Sequence, residues 1–246
     1  MLRISFMEQS LHEGNNNYLR LAIFCHLFLL KMKINTALFD MDGLLLDTEP
    51  LWGESMLRIA GKHGIPITRD RFKETTGLRI YEVTEYWSIK YPWQGAAHDS
   101  VAEEILDDII DTSKKKGKVL AGVLTALQLL RENHFKIGLA SSSPTRMIHA
   151  LVEHFGILDY FDRITSADEV ELGKPHPAVF LKCAQQLGSK PMECVVLEDS
   201  VNGVIAGKAA RMKVIAVPDE LHFDDPRFSI ADLKLTSLDD FDLTML

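Results

Sequence analysis

Cysteine is scarce in this chain of 246 residues: there are three, Cys25, Cys183 and Cys194, at no paired or metal-type spacing. An odd, scattered set excludes a disulfide framework and fits a reducing cytoplasm, with Cys183 and Cys194 read as core residues because free cysteine is mostly buried. An excess of positive charge is also missing. With 27 basic against 35 acidic residues the formal net charge is −8, which leaves no broad cationic surface for a nucleic-acid backbone. A membrane span needs about 20 consecutive apolar residues. The apolar run Leu19 to Leu30 is shorter than that, is interrupted by Arg20 and His26, and carries no clear small-residue cleavage site, so neither a membrane anchor nor secretion is expected. No internal repeat or low-complexity segment is present.

What the chain does have is apolar material, 46% of its residues, enough for one medium domain with a modest inserted lid, expected to be monomeric. Residues 1–31 read as an N-terminal extension, either a misread start or a poorly ordered arm, because Met32 is followed at once by a strand-like segment. From Lys33 onward short β-rich runs alternate with longer helical stretches, which predicts an α/β fold: a Rossmann-like, doubly wound parallel sheet. The strands expected are Ile34 to Phe39, Lys136 to Ala140, Arg163 to Ser166, Cys194 to Leu197 and Lys213 to Val217. Between them, 49–117 breaks the pattern. Amphipathic stretches such as Val101 to Thr112 predict a small helical cap inserted into a core of 32–48 and 118–246, and Lys114-Lys115-Lys116-Gly117 marks its exit.

In open sheets of this kind ligands bind beyond the carboxyl ends of the strands, and four clusters stand there. Asp40-Met41-Asp42-Gly43 follows the first strand: two carboxylates two residues apart point to the same side, and Gly43 allows the tight turn that brings Asp42 back towards Asp40. Ser141 ends the second strand with a hydroxyl, and Pro144 opens a helix whose free amides suit a phosphate. Lys174 lies in the proline-stiffened Gly173-Lys174-Pro175-His176-Pro177, where one ammonium can neutralise a phosphoryl oxygen. Glu198-Asp199-Ser200 offers the hard oxygen ligands that magnesium prefers. Taken singly, each cluster reads as a cap, a turn or a surface group. Their order along one sheet edge points to metal-assisted phosphoryl chemistry. The histidines His63, His149 and His154 have no consistent spacing and read as structural or surface groups.

From Ile34 to about Leu238 these motifs resemble the haloacid dehalogenase superfamily. More closely, Phe39 to Trp52, Gly77-Leu78-Arg79, Gly138 to Pro144 and Leu197 to Gly203 look like the group of bacterial hexitol and 2-deoxyglucose-6-phosphate phosphatases, within the β-phosphoglucomutase-like subfamily. The resemblance implies hydrolysis of small sugar or sugar-alcohol phosphates through an aspartyl phosphate. Asp40 would be nucleophile and metal ligand, Asp42 the acid/base and a ligand through its carbonyl, Asp199 a further ligand with Glu198 beside it. Ser141 and Lys174 would grip the transferring phosphoryl group. The metal implied is Mg2+, with Mn2+ or Co2+ able to substitute. Specificity is expected in the cap, from Trp52 stacking on a sugar face and Arg79 binding a hydroxyl or carboxylate, with Ser143 also reaching the substrate. The chain departs from the pattern at Ala121, where many relatives have a proline, which bears on the stiffness of the cap hinge.

Two rival readings use the same residues. A β-phosphoglucomutase-type enzyme would return the phosphoryl group to a sugar, but that family has a histidine where this chain has Trp52. A phospho-aspartate receiver switch would keep its phosphate, but it has no large insertion after the first strand.

Overall fold

Strands form where apolar runs end in polar or small residues, and all the runs named above do so. The computed structural model describes residues 34–75 and 78–246, of which 35–246 make up one unit. The expectations about residues 1–31, Cys25 and Gly77 lie outside the described residues. The strands are β1 (Thr36–Phe39), β2 (Lys136–Ser141), β3 (Arg163–Ser166), β4 (Cys194–Glu198), β5 (Lys213–Ala216) and β6 (Leu233–Lys234). All neighbours are parallel, in the order β3-β2-β1-β4-β5-β6. The sixth strand was not expected from the sequence; the pair Leu233-Lys234 is too short to show an apolar pattern.

Both faces of the sheet are covered, which is why its central strands lack polar alternation. The helices here are α1 (Glu49–Lys62), α2 (Ile80–Lys90), α3 (His98–Lys116), α4 (Val123–Glu132), α5 (Thr145–His154), α6 (Ala178–Gln186) and α7 (Val201–Ala209). On one face Leu38, Ala140, Val196 and Val214 pack with Val179, Phe180, Cys183 and Val204 of α6 and α7. Alternation turns Ala37, Phe39, Ile137 and Leu139 to the other face, and α4 and α5 contact β2 and β3. This strand order reverses direction between β1 and β4, the switch point where a crevice opens at the carboxyl ends.

Residues 49–116 hold α1, α2, α3 and a six-residue 3-10 helix (Arg69–Glu74) and, among the described residues, contribute no strand. They pack around apolar residues of their own, Ile59, Ile65, Ile80, Val83, Trp87, Val101 and Ile105. The lysines Lys114, Lys115 and Lys116 do close α3, where they suit the negative end of its dipole. Gly117 follows the helix as its C-cap. Its φ is −68°, an ordinary value, but an added Cβ would stand 2.6 Å from the Ser113 carbonyl. The outgoing and returning segments pair with each other through Asp47 N–H to Lys118 O at 3.0 Å and Leu120 N–H to Leu45 O at 3.0 Å. Among the described residues no helix is long and apolar enough to cross a membrane.

Candidate active site

Register brings the motifs together. Phe39 lies level with Leu139 on one side and Leu197 on the other, so Asp40 emerges beside Ala140-Ser141 and opposite Glu198. The Asp40 N–H closes this alignment by donating to Leu197 O at 3.1 Å. Gly43 then turns the chain with φ +79°, and an added Cβ there would stand 2.2 Å from Asp199 Oδ2. Only glycine combines the left-handed turn with so close an approach.

At the centre is Lys174, almost wholly buried, whose Nζ donates to Asp40 Oδ1 at 2.5 Å and to Glu198 Oε1 at 2.7 Å. Burial pulls the ammonium down, but the two carboxylates outweigh it and hold Lys174 above its ordinary value. Glu198 accepts two more hydrogen bonds, from Ser200 N–H at 2.8 Å and Ser200 Oγ at 2.9 Å. Asp40, Glu198 and Asp199 each turn a carboxylate oxygen into one group, with these atoms within 4.8 Å of one another. Crowding of this kind shows in the protonation of Asp40 and Asp199. Asp40 is lifted to about 8 by burial and by Glu198 and Asp42, against the pull of Lys174. Burial, with Glu198 and Asp40, also raises Asp199 well above the carboxylate range. A buried cluster of hard oxygen donors, short of positive charge, fits a divalent cation of the magnesium type.

Asp42 faces elsewhere. Its carboxylate accepts from Thr48 Oγ1 at 2.5 Å, Trp52 Nε1 at 3.2 Å and Ser143 Oγ at 2.6 Å. Trp52, expected to stack on a sugar, is therefore tied by its indole N–H to the second aspartate, and Ser143 by its hydroxyl to the same group. Ser141 Oγ accepts from Ser143 N–H at 3.0 Å and keeps its own proton to donate. The helix that Pro144 precedes is α5, as expected, but its first amide, Thr145 N–H, is taken by Asp168 Oδ2 at 3.0 Å. Arg79, expected at a substrate hydroxyl or carboxylate, lies at the site and donates from its Nη atoms to Glu82 and to the carbonyls of Ala167, Val170 and Glu171.

These groups line a cavity of about 710 Å³ that also reaches Arg69 and Phe72 from the inserted helices and Asp219, His222 and Arg227 from the loop after β5. The sequence reading missed Glu49, Asp219 and His222. Asp219 stands three residues past the end of β5, where the strand-end rule could have found it. Glu49 opens α1 and keeps an exposed edge, yet burial of its carboxyl first and the charges of Asp42, Glu198 and Asp219 second lift it to about 7. The histidines behave as expected: His63 pairs with Glu104 at 3.0 Å, His154 meets Lys114 O at 3.0 Å, and His149 is exposed. Cys183 and Cys194 are buried, unpaired, and pushed up to about 11 and about 12 by burial, which suits core packing rather than reactivity.

A doubly wound parallel sheet with an acidic, lysine-bridged site at its switch point defines an α/β enzyme. The haloacid dehalogenase-like hydrolase model matches residues 37–217, and the chain belongs to that family. It is 44% identical over 207 residues to hexitol phosphatase B of Escherichia coli K12, a match covering 84% of this chain and 93% of that one. The phosphorylated carbohydrates phosphatase of Thermotoga maritima is 31% identical, over 74% of this chain and 84% of the relative. Among solved structures, CbbY of Rhodobacter sphaeroides in complex with phosphate superposes with a TM-score of 0.79 at 23% identity, covering 87% of this chain and 99% of that one. A β-phosphoglucomutase of Clostridium difficile gives 0.73 at 26%, covering 86% and 94%. Membership of a hydrolase family weighs against the receiver switch.

Proposed function

We propose that this hydrolase is a magnesium-dependent, cytoplasmic and monomeric phosphatase of sugar or sugar-alcohol phosphates, with Asp40 as nucleophile and 49–117 as a cap over the site. The observation that carries the reading is the cluster at the switch point: Asp40 at 2.5 Å from Lys174, with oxygens of Glu198 and Asp199 gathered around it. The names of the Escherichia coli and Thermotoga maritima relatives support the substrate class.

The residues divide the work as follows. A bound Mg2+, held by Asp40, Asp199 and Glu198 with the Asp42 carbonyl, would offset the repulsion between carboxylate and phosphate and favour the ionised form of Asp40. Lys174 and the Ser141 hydroxyl grip non-bridging oxygens of the phosphoryl group. The Asp40 Oδ then attacks phosphorus while the bond from phosphorus to the sugar oxygen breaks, and Asp42 delivers its proton to that departing oxygen. To do so Asp42 must turn from Thr48, Trp52 and Ser143. The same carboxylate next takes a proton from water, whose oxygen attacks phosphorus; the phosphorus bond to Asp40 breaks and inorganic phosphate leaves. Manganese, which carboxylate and carbonyl oxygens also suit, or cobalt could stand in for magnesium at this donor set.

A phosphate-release screen over hexose, deoxyhexose and hexitol phosphates, with Mg2+ and with a chelator, tests the reading. Release that needs the metal and falls to background in Asp40→Asn is expected. Residual turnover in a pure Asp40→Asn sample would falsify the nucleophile. The mutase alternative shares the structural likeness to β-phosphoglucomutase, and glucose 1-phosphate separates the two: isomerisation without phosphate release would favour it.

A further inference from the structure

Arg79 belongs to the inserted helices, as the residue just before α2, yet three of its hydrogen bonds fall on one core loop, 167–173. Nη1 donates to Ala167 O at 3.2 Å and Val170 O at 3.1 Å, and Nη2 donates to Glu171 O at 3.3 Å. Its aliphatic stem lies over Gly173, where an added Cβ would meet Arg79 Cγ and Cδ at 3.7 and 3.8 Å. The next residue is Lys174. Glu82 holds the arginine in this pose by accepting from Nη2 at 2.6 Å and from the Arg79 N–H at 2.7 Å. A planar guanidinium with five donors can span three carbonyls of a turn; an ammonium on a flexible stem cannot.

We propose that Arg79 is a positioning residue: it seats the 167–173 loop and through it places Lys174 between Asp40 and Glu198. The core anchors the far side of the loop, with Lys182 Nζ on Glu169 O at 2.8 Å and Asp168 on the Thr145 amide. The near side is held by His176 N–H on Gly173 O at 3.0 Å and, from the inserted helices, by Arg79 on the carbonyls of Val170 and Glu171. When those helices stand away from the core, Val170 O and Glu171 O lose the Arg79 donor while Ala167 O keeps the Val170 N–H at 3.2 Å, so arrival of the cap and final seating of the loop that carries Lys174 are coupled. Misplacing a reacting or gripping group by about 1 Å costs on the order of a hundredfold in rate, which sets the scale of the effect.

The inference rests on the reading of Lys174 as the grip on the phosphoryl group, and the experiment separates the two. The Mg2+-loaded wild type, Arg79→Ala, Lys174→Ala and the double variant are compared for kcat/KM on a hexitol phosphate and on p-nitrophenyl phosphate, and for orthovanadate affinity by calorimetry. Arg79→Ala is expected to lose between about tenfold and a hundredfold in kcat/KM, by the same factor on both substrates, because the Arg79 Nη atoms are spent on Glu82 and the loop carbonyls. Its effect on orthovanadate binding is expected to vanish in the Lys174→Ala background. A loss that differs tenfold between leaving groups would mean direct substrate contact and overturn the proposal. So would an additive cycle, or unchanged kinetics in Arg79→Ala. If Arg79→Ala fails to fold, Arg79→Lys, which keeps the stem and the charge but cannot span the carbonyls, carries the same comparison. A wild type that releases no phosphate from either substrate overturns the functional reading itself, whereas an active wild type with inactive Lys174→Ala and unaffected Arg79 variants overturns the positioning role alone.

Discussion

At Gly203 a hydrogen is all that the space allows: an added Cβ would lie 1.7 Å from Glu198 Oε1 and 2.4 Å from Oε2. The close approach lets Ser200 and the start of α7 wrap the buried Glu198, so this glycine and Lys174 together fix that carboxylate. Gly203→Ala is expected to push Glu198 off Lys174, with a stability loss of about 1–3 kcal/mol, typical of overpacking, and a larger proportional loss of turnover. Denaturant melts and phosphate release check it; an alanine variant with wild-type activity would show that Glu198 can move without consequence. The motif around Gly203 was readable in the sequence, but its reason was not, because a clash between a helix backbone and a strand-end carboxylate depends on how α7 folds back onto β4.

The inserted helices are an element with their own core, centred on residues with no exposure such as Trp87 and Ile105. Ile105 sits on α3, which packs against both α1 and α2. Ile105→Ala is expected to cost about 2–5 kcal/mol locally. Hydrogen exchange should then lose protection in α1, α2 and α3 while β1 to β5 keep theirs. Equal loss throughout would mean that insertion and sheet unfold as one. The insertion could be seen in the sequence as a break in the alternation of strand and helix, and α3 from its apolar spacing. The paired hinge segments could not, since Leu45–Asp47 and Lys118–Leu120 meet only after some seventy intervening residues have folded.

Across the whole molecule, net charge is −8 and much of it converges on one cavity. Asp40 titrates at about 8 in the fold against 3.8 for an ordinary aspartate, so the metal-free fold favours its protonated form. That stabilisation is complete below the unfolded value and is lost as pH rises from 3.8 to about 8; Asp199 shifts in the same direction. Metal-free protein should therefore lose Tm across that window, and the gain in Tm from saturating Mg2+ should grow with pH, because a cation stabilises only the fold that binds it. Thermal melts with chelator and with Mg2+ at several pH values would reveal this; a metal-induced gain independent of pH would contradict it.

What the amino-acid order determined alone is the sheet and the level of its chemical groups. Apolar runs specify β1 to β5 to within about two residues at each end, and a residue placed just past a parallel strand must emerge on the same edge as its neighbours. Asp40, Ser141, Glu198 and Asp199 were singled out by that rule, and Lys174 by its proline-stiffened turn farther beyond β3. Only the tertiary structure decided where long side chains and loops went: Arg79 to the carbonyls before Lys174, Trp52 to Asp42, and Asp219 and His222 to the cavity wall. The reason is physical. Backbone geometry repeats over a few residues and so can be read locally, whereas the partner of a flexible side chain is chosen among groups far apart in the chain, after the helices carrying them have packed.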